Sequence, residues 1–455
     1  MLILLKNTAL ISGLSKDQIT TIKKHLTIDN PLFFKRVELG LSNWGTVSQL
    51  NYYEVIGETS VEIPIGALQD ILSKLTVSGA EISLEDIIDN RVSNRKDEIF
   101  SNIKFTGTLR DYQKDILDVC MQKTIGVVEA MTGSGKTIAF VALTVKRKEP
   151  TLILVNTIEL ANQTIASFEK FTNLTKDDIG FIGAGQFELK PITVGLHQTL
   201  AKLPPKTFEV INERIGQVIG DEIHIIAAET WYKTMSNLRA KYKFGFSATP
   251  KRDDGLTAVI HFASGPKIYT VPSVKLKNVL IKPTFQQVET DYSFPLINTQ
   301  EYGEMIGDLS IDKDRNDLIL NTLRATYKNK HICLLCGRLS QVDYLQQEIG
   351  DKAVSLTSKM SKKERALKMS QLQAGKKRIV VSTYGLFSTG IDLPQLEVLM
   401  LCAPMKSEVK LRQAAGRLMR KSKGKKSAII VDFVDIRVDI LKWQSRHRRK
   451  ILTNL

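Results

Sequence analysis

Short runs of apolar residues punctuate the middle and end of this chain, and the stretches between them carry apolar positions at helical spacing. Ile125-Gly126-Val127-Val128, Leu152-Ile153-Leu154-Val155, Ile192-Thr193-Val194 and Gln217-Val218-Ile219 are short and rich in β-branched residues, and they follow one another at intervals of 25 to 40 residues. That rhythm predicts βαβ units and a parallel sheet covered on both faces. It restarts after residue 330 with Ile332 to Leu335, Arg378 to Val381, Val398 to Leu401 and Ala428 to Val431. Two α/β domains in tandem are expected, joined within about Gly265 to Pro283, where prolines and lysines interrupt the pattern.

The first 95 residues read differently, as a small α+β unit. The apolar opening Met1 to Leu5 predicts a strand, and Ser15 to Leu26 an amphipathic helix. Ser15 with Gln18 three residues later forms a capping box at its start. A second helical pattern covers Ala67 to Leu75. The expected organisation is an accessory domain over 1–95 and two α/β domains over 96–275 and 276–455. Lys6 breaks the apolar opening and no cleavage site follows it, so no leader is expected. Nor does any run reach the ~18 to 20 apolar residues of a membrane span. The expected location is the cytoplasm or the nucleoid, or the host cytoplasm if the chain is phage-encoded.

Composition adds a charge asymmetry. Among 455 residues, 43% hydrophobic and 25% charged, 64 Lys and Arg face 48 Asp and Glu, a net charge of +16. Disordered and collagen-like classes are excluded. Residues 1–104 are net −2, residues 105–300 net +4 and residues 301–455 net +14. A field concentrated at one end points to a polyanion, most plausibly nucleic acid, with a solvated lysine-rich surface as the alternative. The four cysteines fit a reducing compartment. Cys333 and Cys336 form a C-x-x-C, but with no second ligand pair nearby they read as core residues of an apolar strand, not as half of a zinc site.

The chemistry begins at Ala130-Met131-Thr132-Gly133-Ser134-Gly135-Lys136-Thr137, which satisfies the phosphate-loop pattern with alanine for the first glycine. A strand precedes it and the apolar helix Ile138 to Val145 follows, as the motif requires. Backbone N–H groups of such a loop cradle phosphates at a helix N-terminus. Lys136 is expected at the β- and γ-phosphates of ATP and the Thr137 hydroxyl on Mg²⁺. Asp221 and Glu222, at the end of a later strand 85 residues on from Lys136, supply the carboxylates that hydrolysis needs. Asp221 would hold Mg²⁺ through water, and Glu222 would polarise the attacking water.

In this order the motifs resemble those of superfamily-two helicases and translocases, in the branch of the XPB, RecG and UvsW types, and most of all the UvsW-type phage branch-migration helicases. The resemblance covers about residues 105 to 435. It implies two tandem RecA-like parallel-sheet domains preceded by the small α+β accessory domain. Leu109-Arg110-Asp111-Tyr112-Gln113 is similar to the adenine-reading motif, which implies base contacts from Gln113 and Arg110. Asp221-Glu222-Ile223-His224 is a D-E-x-H motif II, and Ser247-Ala248-Thr249-Pro250 is motif III, extended by Lys251-Arg252-Asp253-Asp254-Gly255. Ser382-Thr383 and Thr389-Gly390-Ile391-Asp392 resemble motif V, implying nucleotide contacts from Gly390 and Asp392. Gln413 to Arg420 reads Q-x-x-G-R-x-x-R, motif VI, implying that Gln413, Arg417 and Arg420 serve the γ-phosphate, with Arg420 as arginine finger. The spacing of three predicts both arginines on one helical face. Asn156 stands where the family commonly has proline, and Thr389 where this branch often has glutamate.

The resemblance also implies a nucleic-acid path through Thr157 to Gln163, Thr193 to Gln198, Gly337-Arg338 and Ser382 to Asp392. Candidate contacts are Thr157, Gln163, Gln198, Arg338 and Thr383, made mostly to phosphate and therefore salt-dependent. Near the end, Trp443 stands beside the basic run Arg446, His447, Arg448, Arg449 and Lys450. It either stacks a base, with Arg446 on phosphate, or packs the last helix onto its domain. The expected activity is that of an ATP-driven, monomeric helicase on single-stranded and branched DNA, in fork reversal or branch migration, without membrane partners. An RNA helicase or RNA-dependent ATPase is the alternative, and a non-translocating ATPase switch a more distant one.

Overall fold

The computed structural model describes residues 1–94, 98–226, 228–249, 252, 254–277, 279–295, 301–327, 329–391 and 393–453. The chain divides into two compact units. One is Met1–Ala130 with Gly135–Val271; the other is Pro272–Leu455 with the four loop residues Met131–Ser134.

The first unit holds an eight-stranded sheet. Its order runs Gln186–Phe187, Ile179–Gly183, Ile192–Leu196, Thr151–Val155, Gln217–Asp221, Tyr242–Ser247, Ile125–Glu129 and Lys267–Thr270. Every pairing is parallel except the Ile179–Gly183 hairpin with Gln186–Phe187. The central strands Thr151–Val155, Gln217–Asp221 and Tyr242–Ser247 are buried at every position. Helices on both faces require this, which is why these strands read as continuous apolar runs in place of alternation. The helix after the phosphate loop spans Lys136–Arg147, longer at both ends than its apolar stretch. It is entered through Gly135, whose φ of 81° is a left-handed conformation that glycine adopts without strain.

The first 90 residues of the same unit form a five-stranded sheet in the order Glu54–Ile56, Ser60–Pro64, Thr8–Ser12, Leu2–Leu5, Ile87–Asp89. The helix Lys16–Leu26 is capped by Ser15 with the expected box to Gln18. Its buried Ile19, Ile22 and Leu26 meet the sheet in a core that also takes in Ala228, Val259 and Phe262. Tyr52 seals this junction edge-on against Tyr232, ring centroids 4.9 Å apart. Gly66 is obligatory there, because a Cβ would stand 2.2 Å from the His261 carbonyl oxygen. The five-stranded sheet and the helices of the eight-stranded sheet are therefore joined through one apolar cluster.

The second unit has an all-parallel sheet of six strands, ordered Thr284–Thr290, Ile429–Asp435, Val398–Leu401, Ile332–Cys336, Ile379–Thr383, Ala353–Leu356. Cys333 and Cys336 are buried in the Ile332–Cys336 strand, as expected of core residues. Two buried ion pairs brace this unit. Arg315 Nε lies 2.6 Å from Asp435 Oδ1, and its Nη1 donates to the Cys402 carbonyl. Arg448 Nε lies 2.8 Å from Asp432 Oδ1, whose other oxygen accepts from Ser445.

The second pair corrects the reading of the tail. On the helix Asp439–Thr453 the run from Arg446 to Lys450 is not one basic surface. Arg448 is only 1% exposed, because helical periodicity turns every third or fourth position towards the sheet, while Arg446, Arg449 and Lys450 face solvent. Arg448→Ala is expected to destabilise the fold by about 3 to 5 kcal/mol, since it strands Asp432 as a buried unpaired carboxylate. Neutralising Arg446, Arg449 and Lys450 together should leave the unfolding midpoint unchanged in chemical denaturation. The same change should lower the salt slope of nucleic-acid binding by about 1 for each phosphate that these side chains neutralise. Among the described residues no helix is long and apolar enough to cross a membrane.

Candidate ATPase site and nucleic-acid surface

Lys136 and Thr137 open their helix, and Gln217–Asp221 ends beside them in sheet order, two strands from the strand that leads into the loop. Lys136 Nζ lies 2.5 Å from Glu222 Oε1, with side chains 7% and 15% exposed. Residues 86 apart in sequence are thus joined in a nearly dry ion pair. Asp221 is buried at the strand end and its Oδ1 accepts from the Glu222 N–H at 3.0 Å.

Glu222 adopts φ 51°, a left-handed conformation that costs a non-glycine residue of order 1–3 kcal/mol and concentrates at functional sites. Burial, and then the neighbouring Glu222 charge, hold the Asp221 carboxyl above its ordinary range. Burial pushes Glu222 the same way, but the Lys136 ammonium and then His224 outweigh it and keep Glu222 ionised.

Motif III closes around this centre. His224 Nδ1 lies 2.6 Å from Ser247 Oγ, which also accepts from the Thr249 N–H at 3.1 Å. Arg252 donates to the carbonyls of His224 and Ile226 and pairs with Asp254. Asn156, the departure in motif Ia, donates to the Glu222 carbonyl at 3.4 Å, tying the end of the Thr151–Val155 strand to motif II. The resemblance flags Asn156 as unusual; only the fold gives it a partner. The Thr249 hydroxyl is buried with no hydrogen-bond partner among the described residues.

Gln113 is buried, 1% exposed. Its Oε1 accepts from the Arg110 N–H at 2.9 Å and its Nε2 donates to the Gly135 carbonyl at 3.2 Å. The glutamine therefore braces the phosphate loop, while Arg110, at the N-cap of the helix Asp111–Gln122, is exposed. The donor set suits a magnesium nucleotide: hard oxygen donors from Thr137 and Asp221, a cation at Lys136, and a helix N-terminus entered through a left-handed glycine.

In the second unit, Gln413 and Arg417 lie on the helix Glu408–Leu418, and Gln413 is buried. Arg417 Nη1 donates to the Ile391 carbonyl. Arg420 departs from expectation: the helix ends at Leu418, Met419 caps it, and Arg420 forms an antiparallel bridge with Leu280. The Ile281 N–H draws the Met419 carbonyl into that bridge at 2.8 Å, which unwinds the chain before a further turn forms. The two arginines are not on one helical face. Lys425 donates to the carbonyls of Leu418, Arg420 and Pro394, so it closes the helix end instead of serving as a free surface cation, and burial lowers its pKa to about 8.

The nucleic-acid candidates are distributed over both units. Thr157 caps the helix Ile158–Phe171, its hydroxyl accepting from the Leu160 N–H. Gln163 and Gln198 are exposed. Arg338 is exposed and donates to the Gly303 carbonyl. Thr383 is half-buried at the start of the helix Tyr384–Gly390. Trp443 is 54% exposed and stacks flat on His447, rings 3° from parallel. Asp392, Pro250, Lys251 and Asp253 lie outside the described residues, and of Thr389 and Gly390 only the helical backbone is described.

Two predominantly parallel sheets, each with its own motif set, and Lys136 at the end of the phosphate loop paired with a strand-end acid define a nucleotide-hydrolysing motor of the RecA-like kind. Residues 106–252 match the family described as "Type III restriction enzyme, res subunit", and residues 314–422 match "Helicase conserved C-terminal domain". A "Putative ATP-dependent RNA helicase L396" of Acanthamoeba polyphaga mimivirus is 28% identical over 372 residues, 79% of this chain and 70% of its own length. The "DNA 3'-5' translocase XPB2" of Sulfurisphaera tokodaii is 24% identical over 378 residues, 74% of this chain and 83% of its own. Among solved structures, S. cerevisiae Dbp5 bound to RNA and ADP BeF3 aligns over 76% of this chain and 88% of its own, with 15% identity and a TM-score of 0.56. The chain belongs to the superfamily-two helicases, with XPB-type proteins among its relatives, and is an ATP-dependent helicase.

Proposed function

We propose that this helicase is a DNA translocase that works as a monomer on branched DNA, in fork reversal or branch migration. The domain limits proposed are 1–95, 96–275 and 276–455. The observation that carries the motor reading is the Lys136–Glu222 pair at 2.5 Å beside Asp221. It supports the following roles. Lys136 binds the β- and γ-phosphates, while the N–H groups from Ala130 to Thr137 hold the phosphate chain. Thr137 and Asp221 would hold Mg²⁺, which would supply neutralisation of phosphate charge. Glu222 then polarises the attacking water; Lys136 shifts from carboxylate to phosphate as the nucleotide enters, and that releases Glu222 for the water. For Arg110 and Gln113 at the base, and for Gln413, Arg417, Arg420, Gly390 and Asp392 at the γ-phosphate, the support is the resemblance of their motifs alone.

The preference for DNA is supported by XPB-type relatives, one of them named a DNA 3'-5' translocase. The relative named a putative RNA helicase supports the second reading, action on RNA. ATPase stimulation and unwinding measured in parallel on single strands, duplex, forks, four-way junctions and RNA separate the two. Highest turnover on forks and junctions is expected, and highest turnover on RNA would overturn the DNA reading. Arg420→Ala is expected to lose stimulated turnover about 10³-fold or more while nucleotide affinity is kept. Unchanged stimulated turnover would remove Arg420 from the finger role.

A further inference from the structure

The positive charge of the second unit is not spread evenly. Residues 351–378 carry nine Lys and Arg against two Asp and Glu, whereas the rest of 301–455 carries 21 against 14. Half of the net charge of +14 thus sits on 28 residues. They form the outermost strand of the six-stranded sheet, Ala353–Leu356, the helix Lys362–Gln373 and the loops at the two ends of that helix.

Packing fixes where these cations stand. Leu372 is buried in the same core as Leu356, and Met360 and Met369 pack against that core, so one side of the helix faces the sheet. Four of the cations bond main-chain carbonyls: Arg365 that of Thr357 at 3.4 Å, Lys368 that of Ser355 at 3.3 Å, Lys377 that of Asp351, and Arg378 that of Asn329 at 3.2 Å. An outermost strand exposes unpaired carbonyls, and basic side chains over them keep another strand from adding there. That role accounts for Arg365, Lys368 and Lys377. It leaves Lys359, Lys363 and Lys376, which are exposed. Among the described residues of this segment only Lys368 has a carboxylate in reach, Glu364 at 3.6 Å. Elsewhere in the unit Arg315, Lys330, Arg412, Arg437 and Arg448 each face one. Lys362 and Lys363 also open their helix, where the dipole disfavours cations, so folding gains nothing from their charge.

Two features say what the surplus charge is for. The first is its sign and density, since clustered cations without partners fit a polyanion. The second is the lack of aromatic side chains: residues 351–378 contain no Phe, Tyr, Trp or His. Single strands are commonly held by stacking bases on such side chains, whereas a duplex hides its base faces and offers phosphate. The cations also occupy both ends of a helix of 12 residues, about 18 Å long at a rise of about 1.5 Å per residue. A duplex keeps its phosphates at fixed separations over that distance; a flexible single strand does not.

We propose that the surface formed by residues 351–378 holds the phosphate backbone of a duplex arm, with Lys359 and Lys363 at one end of the helix and Lys376 at the other. This inference rests on the DNA-motor reading above. It gives that motor a grip on duplex in addition to the candidate single-strand contacts Arg338 and Thr383.

The test uses the full chain with duplex and single strands, titrated over salt. Lys359→Gln, Lys363→Gln and Lys376→Gln are combined in one variant. A second variant combines Lys16→Gln, Lys23→Gln and Lys24→Gln, removing the same charge from exposed positions of the accessory helix. In the first variant the salt slope of duplex binding is expected to become shallower by about 2 to 3, roughly one for each phosphate no longer neutralised. Its slope on single strands and its melting temperature should match wild type. The second variant should keep the wild-type slope on duplex. An unchanged duplex slope in the first variant overturns the proposal. An equal loss in the second variant also overturns it, because net charge and not a site would then govern binding. A loss on single strands as large as on duplex overturns the duplex assignment. The DNA-motor reading is judged separately, by wild type's own turnover on forks against RNA. If RNA gives the higher turnover while the first variant still loses slope on duplex, the DNA reading falls and the duplex surface stands.

Discussion

Lys136→Ala is expected to reduce ATP hydrolysis by at least about 10²-fold, the loss typical of removing one preorganised positive group from a site of developing charge. The reason is positional. Lys136 is held at the helix start by Gly135 and kept nearly dry beside Glu222. Nucleic-acid binding at low salt should change little, because Lys136 lies in a buried pair and not on the exposed basic surface. Steady-state phosphate release and filter binding on the same preparation separate the two effects. Normal turnover would sink the assignment of the loop. The variant also leaves Glu222 without the ammonium that keeps it ionised, so its carboxyl should titrate at higher pH than in wild type.

Glu222→Gln is expected to have the second largest effect: retained nucleotide binding with hydrolysis reduced about 10³-fold, as for loss of a positioned general base. Glutamine keeps the length and shape of the side chain and accepts from Lys136 through its amide oxygen. The strained φ of 51° is unaffected, since the backbone conformation is set by the turn and by the bond from the Glu222 N–H to Asp221. Titration with a fluorescent nucleotide, single-turnover hydrolysis and thermal melting are the three measurements. A protein that melts far below wild type would show Glu222 to be a structural partner of Lys136 and not the group that polarises water.

Much of the fold was legible because βαβ architecture writes itself into a one-dimensional pattern. Strands buried on both faces must be apolar throughout, so Thr151–Val155, Ile332–Cys336 and Val398–Leu401 announced themselves. Strands with mixed or sparse apolar content did not. Tyr242–Ser247 lies at the centre of its sheet, yet carries Lys243, whose ammonium reaches the Met235 carbonyl in a buried position. Thr284–Thr290 lies at an edge, where one side of the ladder faces outward and polar residues are tolerated.

The site divides in the same way. Phosphate loop, D-E-x-H and Q-x-x-G-R-x-x-R are legible because local backbone geometry and fixed spacing carry their chemistry. By itself the sequence determined that a phosphate-binding loop, an acid pair and a late arginine pair are present, in the order of a helicase, with the excess positive charge in the last third. Only the tertiary structure decided which charges are available to do work. It placed Lys136 on Glu222, buried Arg448 on Asp432, spent Lys425 on a helix end and lifted Arg420 off its helix. It also left Lys359, Lys363 and Lys376 in water. The physical reason is that a residue's type sets its charge and apolar area, whereas burial and partners, which set how those act, depend on chain segments tens to hundreds of residues away.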